Sequence, residues 1–252
     1  DKLLRIYSST GEILPPIDLK ASESFGASPS KFSLGGNEQI YILDISHETL
    51  SQISPNGKAA MIFNTSTQGD FLLDKPCDLA CTKEGDLLIP DSASGHVIAL
   101  DERGQFVLLF GGQGMNASQL MNPVAAAVNA YGDIFVLDAG NEKIVEFDRS
   151  FRFRTSHHCP MEGQTGEILI DQRTQSLFVL DCTSGTVRKL GQNGKLETLI
   201  AGNAGGSSSK PTSNSIAVNS SGNLLMGTQN AIREYDQKGL LCGTFGEERF
   251  DD

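Results

Sequence analysis

The hydrophobic positions of this chain fall into short strand-like runs, and the runs recur. Five segments share a turn, an apolar strand and, in four of them, a closing Asp: GGNEQIYILD (35–44), EGDLLIPD (84–91), YGDIFVLD (131–138), RTQSLFVLD (173–181) and SGNLLMGT (221–228). Their closing positions are Asp44, Asp91, Asp138, Asp181 and Thr228, spaced by 47, 47, 43 and 47 residues. A strand, a tight turn and another strand follow each, as in HVIALDERGQFVLLFG (96–111), KIVEFDRSFRF (143–153), VRKLGQNGKLETLI (187–200) and IREYDQKGLLCGTFG (232–246). A repeat of this length with four short strands per unit predicts the blades of a β-propeller. Stacked blades bury a continuous core, so modest hydrophobicity suffices.

Turn chemistry gives the count. Gly85, Gly132 and Gly222 each precede Asp or Asn at the inner hairpin, where a positive φ costs Gly little. The outer hairpin carries Gly11, Gly57, Gly104, Gly194 and Gly239, with Phe151 in that place once. Six outer hairpins stand against five inner ones, and the unmatched one is LLRIYSSTGEILPPI (3–17). The expected fold is therefore all-β, a six-bladed propeller with five full four-stranded blades and the outer two strands of a sixth. The blades are placed at about 1–20 (partial), 30–64, 77–111, 124–155, 166–201 and 214–246, in one domain spanning 1–252. The inner strands of the sixth would precede Asp1, since DKLLRIY aligns with NEKIVEF, or follow GEERFDD. Either way the reading is a fragment of a longer protein, because half a blade leaves unpaired edges.

Composition narrows the function classes. The chain has 20 Lys+Arg against 31 Asp+Glu, a formal charge of −11, with 38% hydrophobic residues and no Trp. That is enough apolar material to fold. The acidic balance argues against binding a phosphate backbone, where a basic face does most of the work. No run is long and apolar enough for a spanning helix, so membrane insertion is not expected. Residues 1–20 carry Asp1, Arg5, Glu12 and Asp18 and do not read as a secretory signal. Five cysteines (Cys77, Cys81, Cys159, Cys182, Cys242) leave at least one outside any intrachain disulfide, and none forms a CxxC pair. They read as small buried hydrophobes.

One segment carries a resemblance. FGGQGMNASQLMNPVAAAVNAYGDIFVLDAGNEKIVEFD (110–148) resembles an NHL repeat, through Phe110, Gly111, Pro123, Gly132, Asp133, Asp138, Asn141, Lys143 and Ile144. The blade at 84–110 matches less well, with Gly95 and His96 in place of Asn and a basic residue, and the others match in strand and turn only. The resemblance implies a six-bladed propeller and, by itself, no activity.

Candidate chemistry is sparse. The repeated Asp44, Asp91, Asp138 and Asp181 have two readings: caps that accept backbone N–H bonds in the following turn, or a ring that could hold a hard cation such as calcium. Some NHL-like enzymes, the peptide-amidating lyases, use a zinc held by three histidines. Here His47 and His96 are not at equivalent positions, and His157 and His158 are placed in an inter-blade loop. There is no GxSxG elbow and no HExxH helix. GNAGGSSSKP (202–211) lacks Walker spacing, and GGQG (111–114) lacks the third Gly and helix of a dinucleotide fingerprint. No cofactor is expected, calcium and zinc being the candidates if one is held.

The inter-blade loops 18–31, 64–76, 111–122, 154–165 and 201–213 are long and rich in Ser, Asn, Thr and Gly, suited to adaptable polar contacts. Met115, Met121 and Met161 offer apolar anchors there or tuck beneath the loops, and Arg154, His157 and His158 form a small positive cluster. Three function classes stay open. The first is a non-catalytic platform for a protein or peptide partner. The second is a metal-dependent propeller enzyme of lyase or lactonase type, and the third is single-stranded RNA binding, which the charge disfavours. Sequons at Asn64, Asn116 and Asn219 arise readily in so Ser- and Asn-rich a chain, and the compartment is left undetermined.

Overall fold

The computed structural model describes residues 3–7, 13–18, 30–36, 39–54, 58–64, 73–202, 215–228 and 231–246. Most of the loops 18–31, 64–76 and 201–213, the turn glycines Gly11 and Gly57 and the end of GEERFDD lie outside the described residues. The chain divides into two compact units, 1–110 and 111–252.

The first unit holds a two-stranded sheet and two four-stranded ones. β1 (Leu3–Tyr7) pairs with β2 (Ile13–Asp18). The next sheet runs β3 (Lys31–Leu34), β4 (Ile40–Asp44), β5 (Thr49–Ile53) and β6 (Ala59–Asn64). The third runs β7 (Ala80–Cys81), β8 (Leu87–Asp91), β9 (His96–Leu100) and β10 (Phe106–Gly111). The second unit holds three four-stranded sheets. They are β11 (Pro123–Val128), β12 (Ile134–Asp138), β13 (Lys143–Phe147) and β14 (Phe153–His158); β15 (Gly166–Asp171), β16 (Ser176–Asp181), β17 (Thr186–Leu190) and β18 (Leu196–Ile200); and β19 (Ser215–Val218), β20 (Leu224–Gly227), β21 (Ile232–Tyr235) and β22 (Leu241–Phe245). Within every four-stranded sheet the strands lie side by side in chain order, the blade pattern of a propeller. Five blades are present among the described residues, not six, because the remaining sheet stops at two strands. No helix is long and apolar enough to cross a membrane among the described residues.

Burial falls from the second strand outward. β8 and β12 are buried along their whole length, whereas β14 and β22 are mostly exposed. A second strand covered on both faces must be apolar throughout, which is why IYILD, LLIPD, IFVLD and LFVLD read as continuous rather than alternating runs. Successive blades share one interface design. Tyr41, Leu43 and Leu50 of one blade pack on Leu79, Leu87 and Ile89 of the next. In the second unit Phe135, Leu137 and Ile144 meet Ile168, Leu177 and Val179, and Phe178, Leu180 and Val187 meet Ile216, Leu224 and Met226. Truncating any of these leucines to Ala costs about 2–5 kcal/mol.

The hairpins use the turn chemistry their sequences call for. In the inner hairpins Gly85, Gly132 and Gly222 have φ of 104°, 85° and 84°; in the outer ones Gly104, Gly194 and Gly239 have φ of 78°, 73° and 80°, and Phe151, which stands in their place, adopts φ 61°. The turn is held from one position that the sequence reading passed over, three residues before the Gly. There Asp101 accepts N–H bonds from Arg103 and Gln105, and Asp236 does so from Lys238 and Leu240. Asp148 accepts bonds from Ser150 and Arg152 in the same way. Two of these outer turns also dock on the preceding blade: a Cβ on Gly104 would collide with the Ile62 carbonyl, and one on Gly239 with that of Leu199.

Candidate functional site

The strand-end aspartates come first because they set the loops. Asp138 is fully buried, and its carboxylate accepts backbone N–H bonds from Met121 (3.1 Å) and Asn122 (2.9 Å) in the segment entering the blade. It also accepts one from the Asn141 side chain (2.7 Å) in the turn leaving β12. Asp91 does the same between Asp74 and Lys75 on one side (2.6 and 3.0 Å) and Ala93 and Ser94 on the other (3.1 and 3.0 Å). Asp181 joins Glu162 (2.6 Å) to Thr183 and Ser184 (2.9 and 3.3 Å). Asp44 receives Ser46 and His47 N–H groups at 3.0 and 3.1 Å, and His47 Nδ1 lies 2.9 Å from its other oxygen. Charge-assisted bonds of this kind offset the cost of burying each carboxylate. At Asp91, Asp138 and Asp181 the repeated carboxylate is therefore a two-way clamp, tying the linker into a blade to the turn between its second and third strands. Thr228 keeps a weaker form, exchanging bonds with the Ala231 backbone. Among the described residues no three His, Cys, Asp or Glu side chains gather into a group that could hold a metal.

Among the described residues, the linker 111–122 is bonded along its length. It closes on itself through Gly114 N–H to Leu120 O (3.1 Å), Leu120 N–H to Gly112 O (2.9 Å) and Gln119 N–H to Asn116 O (3.0 Å). Two side chains from the blade below hold it. Asn141 Nδ2 donates to Gly114 O at 2.8 Å, and Lys143 Nζ donates to Asn116 O at 2.7 Å and Ala117 O at 3.3 Å. Lys143 is almost wholly covered; burial pulls its pKa below the ordinary lysine value, against the pull of the Asp138 carboxylate. Leu120 is fully buried beneath the loop. Asn141 and Lys143 entered the sequence reading only as matches to a repeat pattern; here they are the pins of the linker.

The three candidate methionines part company. Met115 is 80% exposed at the crest of this pinned loop. Met121 is half-buried with its stem against Gly140, and Met161 is half-buried against the core between the two blades of β11–β18. Only Met115 is presented to solvent.

Arg154, His157 and His158 are not in a loop. The hairpin reversed at Phe151 returns the chain to the sheet at once, and β14 carries it through His158, three residues beyond the expected blade end at 155. Nor is the cluster positive in effect. Arg154 Nη1 lies 2.9 Å from Asp133 and 3.3 Å from Glu146, carboxylates of the neighbouring strands' hairpin and of β13. His157 Nδ1 meets Gly194 O at 3.0 Å, with Nε2 3.6 Å from Glu146. His158 Nδ1 meets Glu142 O at 3.1 Å. The register brings them together: Glu146 sits opposite Thr155, beside Arg154 and within reach of His157.

None of the five cysteines is joined in a disulfide. Burial pushes Cys77 up to about 11, Cys81 to about 12 and Cys159 to about 11, so these three are protonated at neutral pH. A pKa so far above the ordinary thiol value makes them poor nucleophiles.

No protein-family model matches the chain, and no curated protein matches it. Solved structures do. A streptogramin B lyase superposes with a TM-score of 0.67 at 14% identity, over 86% of this chain and 68% of that one. A catalytically inactive variant of virginiamycin B lyase from Staphylococcus aureus with quinupristin gives 0.67 at 13% identity, over 97% and 73%. A chain of the nidogen–laminin complex gives 0.66 at 15% identity, over 86% and 79%. Likeness at this identity is likeness of fold, and what it shows of this chain is that it has the propeller fold.

Proposed function

We propose that this chain is a non-catalytic, NHL-type propeller that binds a protein or peptide partner through its inter-blade loop face. The observation that carries the reading is Met115: an apolar side chain, 80% exposed, on a linker held by Asn141 and Lys143. A preordered loop loses little entropy on binding, and an exposed flexible thioether fits varied apolar pockets. The nidogen–laminin complex supports the reading as an example of this fold in a protein assembly. The lyase neighbours share the fold at 13–14% identity, which carries no activity across. We read the platform as six-bladed, β1 and β2 forming the outer half of the sixth blade.

The test is partner capture by the purified protein and by Met115→Asp. A partner held by the parent and lost by the variant, with the far-ultraviolet spectrum and melting midpoint unchanged, supports the reading. Capture that ignores the substitution removes Met115 from the interface and, with it, this reading.

A further inference from the structure

One place in the repeat breaks the pattern of its counterparts. Three residues before each strand-end position, the second strand faces one residue of the third: Tyr41 opposite Gln52, Leu88 opposite Ala99, Phe135 opposite Glu146, Phe178 opposite Lys189 and Leu225 opposite Glu234. In the other blades, wherever that third-strand residue is polar, its end is bonded. Gln52 donates to the Tyr41 hydroxyl at 3.2 Å, Glu146 pairs with Arg154 at 3.3 Å, and Glu234 accepts from Asn219 and Asn223 at 2.8 Å each. Lys189 is the exception. Its ammonium lies 5.5 Å from the centre of the Phe178 ring and makes no hydrogen bond or ion pair among the described residues, although Glu197 stands directly opposite it on β18. A half-buried cation in this position has given up hydration that a ring face replaces only in part.

Lys189 lines an opening of about 120 Å³ between the blade β15–β18 and the blade β19–β22, room for a few waters or one small organic molecule. Phe178, Leu199 and Leu224 supply its apolar lining. Two contacts fix its width. The turn at Gly239 sits on the Leu199 carbonyl as closely as a glycine allows, and Arg173, in the turn between β15 and β16, donates to the Ser220 and Asn219 carbonyls of the next blade. Asp236, from that next blade, also lines the opening. N–H bonds from Leu240 and Lys238 hold its carboxyl below the ordinary carboxylate value, so it is ionised at neutral pH. Both of those bonds fall on Oδ1, and Oδ2 keeps its capacity to accept. The other carboxylate of the opening, Asp171, is already engaged by Thr174 and Arg173. Lys189 and Asp236 thus line one opening from two blades without pairing with each other.

We propose that this opening is a binding site for a free α-amino acid with a small side chain, its carboxylate on Lys189, its ammonium on Asp236 and its side chain against Phe178, Leu199 and Leu224. One unpaired charge of each sign, over an apolar lining, selects a dipolar ion: a simple anion or cation would leave one of the two protein charges unmatched. The small volume selects against a large side chain. The site is separate from the Met115 linker, and either can hold or fail without the other.

The test titrates the purified chain with glycine, L-alanine and L-serine, followed by calorimetry and ligand-observed NMR. Saturable binding of at least one of them is expected, weakened at least about tenfold by Lys189→Met and by Asp236→Asn and unchanged by Met115→Asp. Asn at position 236 still offers the turn an acceptor oxygen, so that variant keeps the hairpin. Acetate and methylammonium, which carry one charge each, are expected to bind at least about tenfold more weakly than the amino acid. No saturable binding up to about 10 mM overturns the proposal, as does binding that survives Lys189→Met. Acetate binding as tightly as glycine overturns it in favour of a simple anion site.

Discussion

Two surfaces of one blade teach opposite lessons. The linker before β11 and the outer strand β14 both carry residue types that invite a partner, a methionine on the first and an Arg-His-His group on the second. On the linker the polar bonds are made underneath, by Asp138, Asn141 and Lys143, and the crest is left bare with Met115. On β14 the polar groups are themselves the surface, and neighbouring strands already engage them: Arg154 with Asp133 and Glu146, His157 with the Gly194 carbonyl. A binding group is available when its neighbours hold the backbone beneath it, and committed when they hold the group itself.

Breaking the base of the linker has the largest expected effect. Asp138→Ala leaves the Met121 and Asn122 N–H groups buried without their acceptor and costs about 2–4 kcal/mol, read from the urea midpoint. The end of β14 is tested next through Cys159, which follows it and is fully buried. Its folded pKa, raised by burial to about 11, lies above the ordinary thiol value of 9.0. The unfolded thiol thus ionises first, and the stability this group contributes below pH 9 is lost as pH rises from about 9 towards 11. The slope is at most about 1.4 kcal/mol per pH unit, isolated by comparison with Cys159→Ala.

Lys143→Met sharpens the comparison with a smaller change. Stability shifts by about 1 kcal/mol or less, since a buried ammonium is exchanged for an apolar chain of similar length. Amide exchange at Gly114 and Leu120 is expected to speed up by roughly tenfold as the linker loses its pin. Smallest is Arg154→Ala. The guanidinium is half exposed, so its two ion pairs are worth less than about 1 kcal/mol, and partner capture is expected to be unchanged.

Much of the architecture was legible in the residues. The spacing of the strand-end Asp marks the blades because each holds the turn that follows it, and the hairpin Gly marks a backbone that needs a positive φ, a demand Phe151 meets at φ 61°. A cap on the following turn was one of two readings of those Asp residues, and the structure adds bonds to the incoming linker at Asp91, Asp138 and Asp181. The site was less legible. Three methionines in loops look alike in sequence, and what separates Met115 from Met161 is the core beneath the second. Arg154 looked like free charge because Asp133 and Glu146 are 21 and 8 residues away along the chain, yet both come within reach across the sheet. The exposure of Phe32 could not be read at all, since KFSL alternates as its buried counterparts in other blades do.

The most direct measurement of the account is photo-cross-linking from a diazirine amino acid placed at position 115, with the same probe at the exposed Tyr131 as the reference. The account expects a discrete protein adduct from position 115 that weakens when Lys143→Met loosens the linker, and none from position 131. The same adducts from both positions, or none from 115 in the presence of a captured partner, would contradict it.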